Sequence, residues 1–479
     1  MDRRGERPRC SRCSELEREN RRLQREVERL KRDNQRLVEK LARCQEALEA
    51  TRRAGKRQAA PFSKGEPTKT PRRPGRRPGA EHGPASFRPP PERVDEILDA
   101  ALPERCPYCG GVVEEDSVAS QFQAEVPAVV PGFSQIQVHI GHCQNCRRRI
   151  QGRHPRQTSD ALGAAASQVG PRALALAADL NKGLGLSLEK VCRVLQRSFG
   201  LRISRGGLYQ GLKRLARAAQ PTYQALIEQI RGSPWVSPDE TGWKLGGFLV
   251  WLWAFATKTL TVYAIQPGRG FAEAAAVLGE DFEGILVRDG WAPYRKFEQA
   301  QHQTCLAHLL RRCEENLETA QRGAARVPRA IKRLLQRALS LRDRRDEGTL
   351  KGHGLAVALG RLSAEMDRLL AWKPKDDENR KLLAHVKNER HALFTFLVHP
   401  GLPATNWPSE QAIRPAVVTR KVCGGNRTWD GAHTQEVLSS VLASSHKQQL
   451  DPCPLFVALL CSPVPTVAET LWSAQPGEN

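Results

Sequence analysis

Asp239 and Glu240 stand side by side in "WVSPDETGWK" (235–244), Asp289 closes the apolar run in "EGILVRDGW", and Glu410 sits in "NWPSEQAIRP". Carboxylates are the hard oxygen donors that divalent magnesium or manganese needs, and the ion keeps positions for water and phosphate oxygens. Two such ions can activate an attacking oxygen and steady the leaving oxygen of an in-line displacement at phosphorus. Three carboxylates held close repel one another, which raises their pKa values until cations compensate. Any one of these acids taken alone is as readily a turn or capping residue. Side chains alternate along a strand, so only one of Asp239 and Glu240 can face Asp289.

Four cysteines form a second constellation. Cys106 and Cys109 lie in "CPYCGG", and Cys143 and Cys146 in "HCQNC". Two Cys-x-x-Cys pairs, each offering half of a tetrahedral thiolate site, predict a structural zinc ribbon. The plainer alternative is four thiols without a metal. His142 and His154 are spare donors, and Cys10 with Cys13 is a further Cys-x-x-Cys that lacks a matching pair.

These residues need elements to position them. "SPWVSPDE", "GGFLVWLWAFATK" and "LTVYAIQPG" read as three meandering strands, "GFAEAAAVLG" as a helix and "EGILVRDGW" as a fourth strand. A short strand then leads into the helix of "CLAHLLRRCEENLE". This order predicts an RNase H-like α/β domain in which the first and fourth strands are neighbours and Asp239 and Asp289 end them. Residues 321–402 read as a helical insertion. Thr405 or Asn406 is placed to cap the next helix, on which Glu410 and Arg414 share a face.

Upstream, Leu16, Leu23, Leu30 and Leu37 recur every seven residues, with Asn20 and Asn34 on the companion line. That is the pattern of a parallel two-stranded coiled coil, so self-association is expected. Residues 51–95 form a Pro/Gly/Arg-rich linker containing Arg72, Arg73, Arg76 and Arg77, too poor in apolar groups to fold alone. Strand-like segments, "SQFQAEVPAV" and "FSQIQVHI", separate the cysteine pairs. A helix, a break at Gly200 and a Ser204 cap before a second helix suggest a helix-turn-helix, although such pairs are also ordinary packing units.

The chain has 479 residues, 75 Lys+Arg against 52 Asp+Glu, and a net charge of +23. This excess favours a polyanionic partner, since cationic side chains release counterions from phosphates. No apolar run spans a membrane, "MDRRGERPRC" is not a secretory leader, and thirteen cysteines without such a leader read as thiols or metal ligands. A cytoplasmic protein is expected.

"DETGW", "VRDGWAPY", "CLAHLLRR", "NWPSEQAIRP" and the later "RK" resemble the insertion-sequence sixty-six family of bacterial transposases. The leading coiled coil, "GRRPG" and "CPYCGG…CQNC" resemble its N-terminal half, so the likeness covers roughly residues 15–460. The resemblance implies a DDE transposase with Asp239, Asp289 and Glu410 as catalytic magnesium ligands (two ions, or manganese) and Glu240, Cys305, His308 and Asn406 supporting them. It implies DNA as partner, in the form of terminal inverted repeats and target, together with small accessory transposition proteins. Arg311, Arg312, Arg414, Arg420, Lys421 and Arg427 are expected along the DNA backbone. Trp243, Trp291 and Trp407 flank the acids, either as core or as stacking surfaces for bases.

The fold expected is thus multidomain α/β: coiled coil 15–50, basic linker 51–95, zinc ribbon 96–156, helical DNA-binding region 157–232, RNase H-like core 233–320 and 403–460 split by the helical insertion 321–402, and a tail 461–479. A catalytically silent DNA-binding protein and an RNase H-like nuclease that cuts without joining are the rival readings.

Overall fold

The structure is a computed structural model, and it describes residues 11–56, 91–127, 129–162 and 168–468. Arg72, Arg73, Arg76, Arg77, Cys10, most of the linker and most of the tail lie outside the described residues. The chain divides into two units, Met1–Pro71 and Arg72–Asn479.

In the first unit α1 runs from Ser11 to Lys56. Leu16, Leu23, Leu30 and Leu37 stand exposed along it. A lone helix has no second surface on which to bury such a stripe.

The second unit begins with two cysteine turns and one small hairpin, β1 (Ile140–His142) against β2 (Arg149–Gln151). The two strand-like segments between the cysteine pairs do not form strands, apart from Ile140, which opens β1. Phe122, Val126, Val130 and Phe133 there are exposed. Among the described residues, no strand or helix covers their apolar side chains, and an uncovered strand gains too little to order.

Helices follow: α2 (Pro171–Ala178), one π-helical turn at Asp179–Gly183, α3 (Leu188–Phe199), α4 (Arg205–Ala218) and α5 (Gln220–Arg231). Gly200 closes α3 at φ 66°, in the left-handed region glycine tolerates, and Ser204 caps α4 by accepting from the Gly207 amide, as the sequence pattern predicts. Leu208, Leu212 and Leu215 turn α4 inward against α2.

A five-stranded mixed sheet comes next, comprising β3 (Trp235–Leu245), β4 (Phe248–Ala256), β5 (Thr261–Gln266), β6 (Ile285–Arg288) and β7 (Gln301–Thr304). Their spatial order is β5-β4-β3-β6-β7. The first three strands pair antiparallel, and β6 pairs parallel with both β3 and β7. Helix α6 (Phe271–Leu278) joins β5 to β6, and α7 (Leu306–Thr319) leaves β7. The insertion is helical: α8 (Arg326–Asp346), α9 (Gly352–Leu370), α10 (Asp377–Asn388) and α11 (Thr395–Val398). The chain returns as α12 (Trp407–Cys423), α13 (Trp429–Lys447) and α14 (Pro452–Cys461).

Alternation along β4 divides the core. Val250, Leu252, Ala254 and Ala256 pack with Ala412, Ile413, Ala416 and Val417 of α12, while Trp253 and Phe255 join the apolar side chains of α5 and α6. The insertion has its own core, which reaches the sheet through Ile285 and Val287. Among the described residues, no helix is long and apolar enough to cross a membrane.

Candidate active site

Asp239 does not end its strand as the sequence pattern suggests. β3 continues to Leu245, paired with β4 throughout from Ser237 onward. What ends nearby is β6, which pairs with β3 only at Trp235 and Val236 and stops at Arg288. The edge of β3 that faced β6 is therefore open at Asp239, and Asp289 follows β6 immediately. Both acids come to the place where the parallel part of the sheet stops, the kind of strand-end crevice where α/β sheets bind ligands.

Glu410 reaches this crevice on the first turn of α12. One residue before it, the Ser409 hydroxyl lies 2.9 Å from that of Ser237, and the Ser237 hydroxyl also donates to the Val287 carbonyl at 3.1 Å. Asn406 occupies the capping position, but through its backbone. Its carbonyl accepts from the Glu410 amide at 3.1 Å, whereas the side chain makes no capping bond and its buried Oδ1 has no partner. Asn406 is buried, and two residues earlier the carbonyl of Ala404 accepts from the Leu306 amide of α7 at 3.0 Å.

Burial pushes the Asp239 carboxyl up to about 8, and the charges of Glu240, Asp289 and Glu410 add to the shift against a lowering hydrogen bond from the Glu240 amide. Asp239 thus feels the fields of Asp289 and Glu410. Asp289 is oriented by the Trp291 amide, which donates to its Oδ1 at 2.9 Å.

Glu240 points elsewhere, as alternation requires. It is buried, takes Arg269 Nε at 2.5 Å and accepts from the Tyr294 hydroxyl at 2.6 Å. The Arg269 guanidinium lies between two rings, 4.1 Å from the centroid of Trp291 and 4.9 Å from that of Trp251. Trp291 in turn donates from Nε1 to the Arg269 carbonyl. Arg269 and Tyr294 were not evident from sequence, and only the "WAPY" wording touches the second.

Cys305 is buried at the start of α7, where its amide takes the Arg288 carbonyl at 2.7 Å. Burial pushes its thiol pKa up, so it is a packed thiol and not a poised nucleophile. His308, one turn on, has Nε2 3.8 Å from Glu410 Oε1, and its buried Nδ1 has no partner.

The basic residues divide. Arg312 pairs with His385 Nδ1 at 2.6 Å, and Arg420 is held by the Gly242 carbonyl and the Thr241 hydroxyl, so both serve the fold. Lys213 of α4 pairs with Asp430. Arg311, Arg414, Lys421 and Arg427 are exposed. Trp243 is core, its indole donating to Asn426 Oδ1 at 2.7 Å, whereas Trp407 is 60% exposed beside Glu410.

The cysteine pairs form two like turns. The Cys106 amide takes the Gly111 carbonyl and Gly110 returns to Cys106, and the Cys143 amide takes Arg148 while Arg147 returns to Cys143. Gly110 and Arg147 both have positive φ, 74° and 58°. Backbone amides of Tyr108 and Cys109 lower the Cys106 thiol pKa, and those of Cys146 and Asn145 lower that of Cys143, which favours thiolates. Among the described residues, no three His, Cys, Asp or Glu side chains are gathered closely enough to hold a metal ion as they stand. By donor chemistry, soft thiolate pairs fit zinc and the three carboxylates fit magnesium.

The profile of the Transposase IS66 family matches residues 166–434, spanning the helical region, the sheet, the insertion and α12. The chain belongs to the IS66 transposase family. The match contains Asp239, Asp289 and Glu410, and it ends within α13. "Uncharacterized protein y4qI" of Sinorhizobium fredii (strain NBRC 101917 / NGR234) is 24% identical over 264 residues, 48% of this chain and 49% of that protein. The IS66-family chain therefore spans about half the length of this curated relative.

Proposed function

We propose that this IS66-family protein is a DNA transposase that binds the ends of a bacterial insertion sequence and carries out strand cleavage and strand transfer. The observation that supports the reading is the Asp239 carboxyl, which burial and the charges of Glu240, Asp289 and Glu410 raise to about 8. An isolated cluster of this kind repels itself, and divalent cations relieve the repulsion. The strand order, with β3 beside β6, supports an RNase H-like catalytic core.

Asp239, Asp289 and Glu410 would hold two magnesium (or manganese) ions. When bound, such ions activate a water or 3′-hydroxyl oxygen and neutralise charge on the leaving oxygen. Glu240 does not share that task, because Arg269 and Tyr294 occupy its oxygens. Its part is to fix the Asp289–Trp291 turn through Arg269. His308 is within reach of Glu410 and orients that carboxylate. Arg311, Arg414, Lys421 and Arg427 would meet the DNA backbone, with Arg72, Arg73, Arg76 and Arg77 as an arm along phosphates. Cys106, Cys109, Cys143 and Cys146 would hold a structural zinc. The exposed Leu16–Leu37 stripe of α1 would pair two copies, so that both element ends are held together. Small accessory proteins and nucleoid association belong to the same reading.

The test is joining. A duplex ending in the pre-cleaved inverted repeat that flanks the gene, incubated with magnesium and supercoiled plasmid, should become covalently attached to the plasmid. Cutting without joining would favour a nuclease, and DNA binding without either reaction a catalytically silent regulator.

A further inference from the structure

We infer that Glu389 of the helical insertion is a positioning residue for Asp289: it clamps the strand end that carries this acid. The inference rests on Asp289 being a working acid, but the geometry of the clamp stands by itself.

Arg288, the residue before Asp289, is wholly buried, and so is Glu389. Arg288 Nη1 donates to Glu389 Oε2 at 2.8 Å and to the Asp289 carbonyl at 3.0 Å. Arg295, just past the turn, donates from Nη2 to Glu389 Oε1 at 2.7 Å and to the Gly290 carbonyl at 3.4 Å. One carboxylate therefore holds two guanidiniums, and each of these also holds a peptide of the Asp289–Gly290 turn. The Arg288 Nε donates to His302 Nδ1 at 3.1 Å. Burial, with the Arg288 charge, lowers the His302 imidazole to about 4, so it is neutral and able to accept. Burial pushes Glu389 up, but the Arg288 and Arg295 charges outweigh it and hold the carboxyl below its ordinary range.

The second contact is steric. His385 lies in the last turn of α10, and Glu389, which closes that helix, donates its amide to the His385 carbonyl at 3.1 Å. A Cβ added to Gly290 would lie 2.7 Å from His385 Nε2. The helix thus presents a charge and a ring to the turn, and the turn has no side chain at the point of closest approach.

A buried ion pair is a poor stabiliser, because desolvation cancels much of its attraction. Its use is geometric: the two guanidiniums, each bonded both to Glu389 and to a carbonyl of the turn, fix where the peptide after β6 goes. Removing the acid leaves a buried Arg288 whose Nη2 already lacks a partner.

The experiment uses the full-length protein without metal and follows amide hydrogen exchange. In Glu389→Gln, exchange across 289–296 should accelerate by at least about tenfold relative to wild type while β4 stays unchanged, the signature of local opening and not of global loss. Arg288→Met with Glu389→Met removes both charges. It should recover thermal stability but leave the turn fast-exchanging, which a merely structural pair would not do. Manganese binding to the same proteins should weaken by about 10–100-fold in both variants, as for groups that orient metal ligands. Unchanged exchange across 289–296 in a folded Glu389→Gln protein overturns the clamp. So does a double variant in which exchange and manganese affinity recover with stability. If the wild type binds no manganese while the exchange result holds, the clamp stands and the reading of Asp289 as a metal ligand fails.

Discussion

The hydroxyl oxygens of Ser237 and Ser409 lie 2.9 Å apart in the buried seam between β3 and α12, 172 residues apart in sequence. Each precedes an acid of the candidate site, Asp239 by two positions and Glu410 by one. Small side chains allow the helix to approach the strand, and the hydroxyl pair fixes its height. Ser409→Ala keeps the approach and removes the bond, leaving Ser237 with the Val287 carbonyl. It should cost about 1 kcal/mol of stability, read as a lowered thermal midpoint. Ser409→Leu should do more harm, because overpacking of a close seam costs about 1–3 kcal/mol.

Gly290→Ala should destabilise the protein, because its Cβ meets His385 at 2.7 Å. Relief should come from the partner: with His385→Ala the added methyl has room. A double-mutant cycle by denaturant unfolding should give a favourable coupling of about 1 kcal/mol or more, as for residues in direct contact. Additive effects would mean that the ring moves aside freely.

Glu240→Gln should loosen the other side of the same turn. The amide cannot serve Arg269 as an ion partner, although Tyr294 can still donate to its oxygen. Because the Arg269 side chain is 35% exposed, the loss is smaller than for a fully buried pair, about 1–3 kcal/mol. Trp291 fluorescence should change, since the guanidinium stacked on it at 4.1 Å would be freed.

Lys447 gives a pH dependence. Its ammonium donates to the Thr257 and Leu260 carbonyls, and burial lowers its pKa to about 8. The unfolded chain, with an ordinary lysine near 10.5, binds the proton more tightly than the folded one. Stability from this group therefore rises as pH increases from about 8 toward 10.5. Lys182 is lowered in the same way and contributes in the same direction. In Lys447→Met, urea midpoints measured across that window should rise less than in wild type.

Much of the half that carries the sheet was legible because its signals are local. Apolar alternation marked β4 and β5, Gly200 and Ser204 marked the ends of α3 and α4, and the order of strands placed β3 beside β6. Three things were not legible, each for a physical reason. The length of β3 beyond Asp239 depends on pairing with β4, which tolerates polar residues on an edge left open by the short β6. The stretch between the cysteine pairs has strand composition but no neighbour to pair with, and propensity alone does not order a strand. Glu389 and Arg288 are 101 residues apart, and an acid near a helix end looks like any solvated residue until the fold buries it. Asn406 illustrates the opposite error, a capping residue type in a capping place whose buried side chain makes no capping bond.

The most direct test of the central claim is magnesium-dependent cleavage of inverted-repeat DNA by wild type, Asp239→Asn, Asp289→Asn and Glu410→Gln, with DNA binding measured on the same samples. The account predicts that all four proteins bind the DNA comparably and that each substitution lowers the cleavage rate by about 100-fold or more, as expected when a group acts only in the transition state. Cleavage by Asp289→Asn at the wild-type rate, with binding intact, would contradict it.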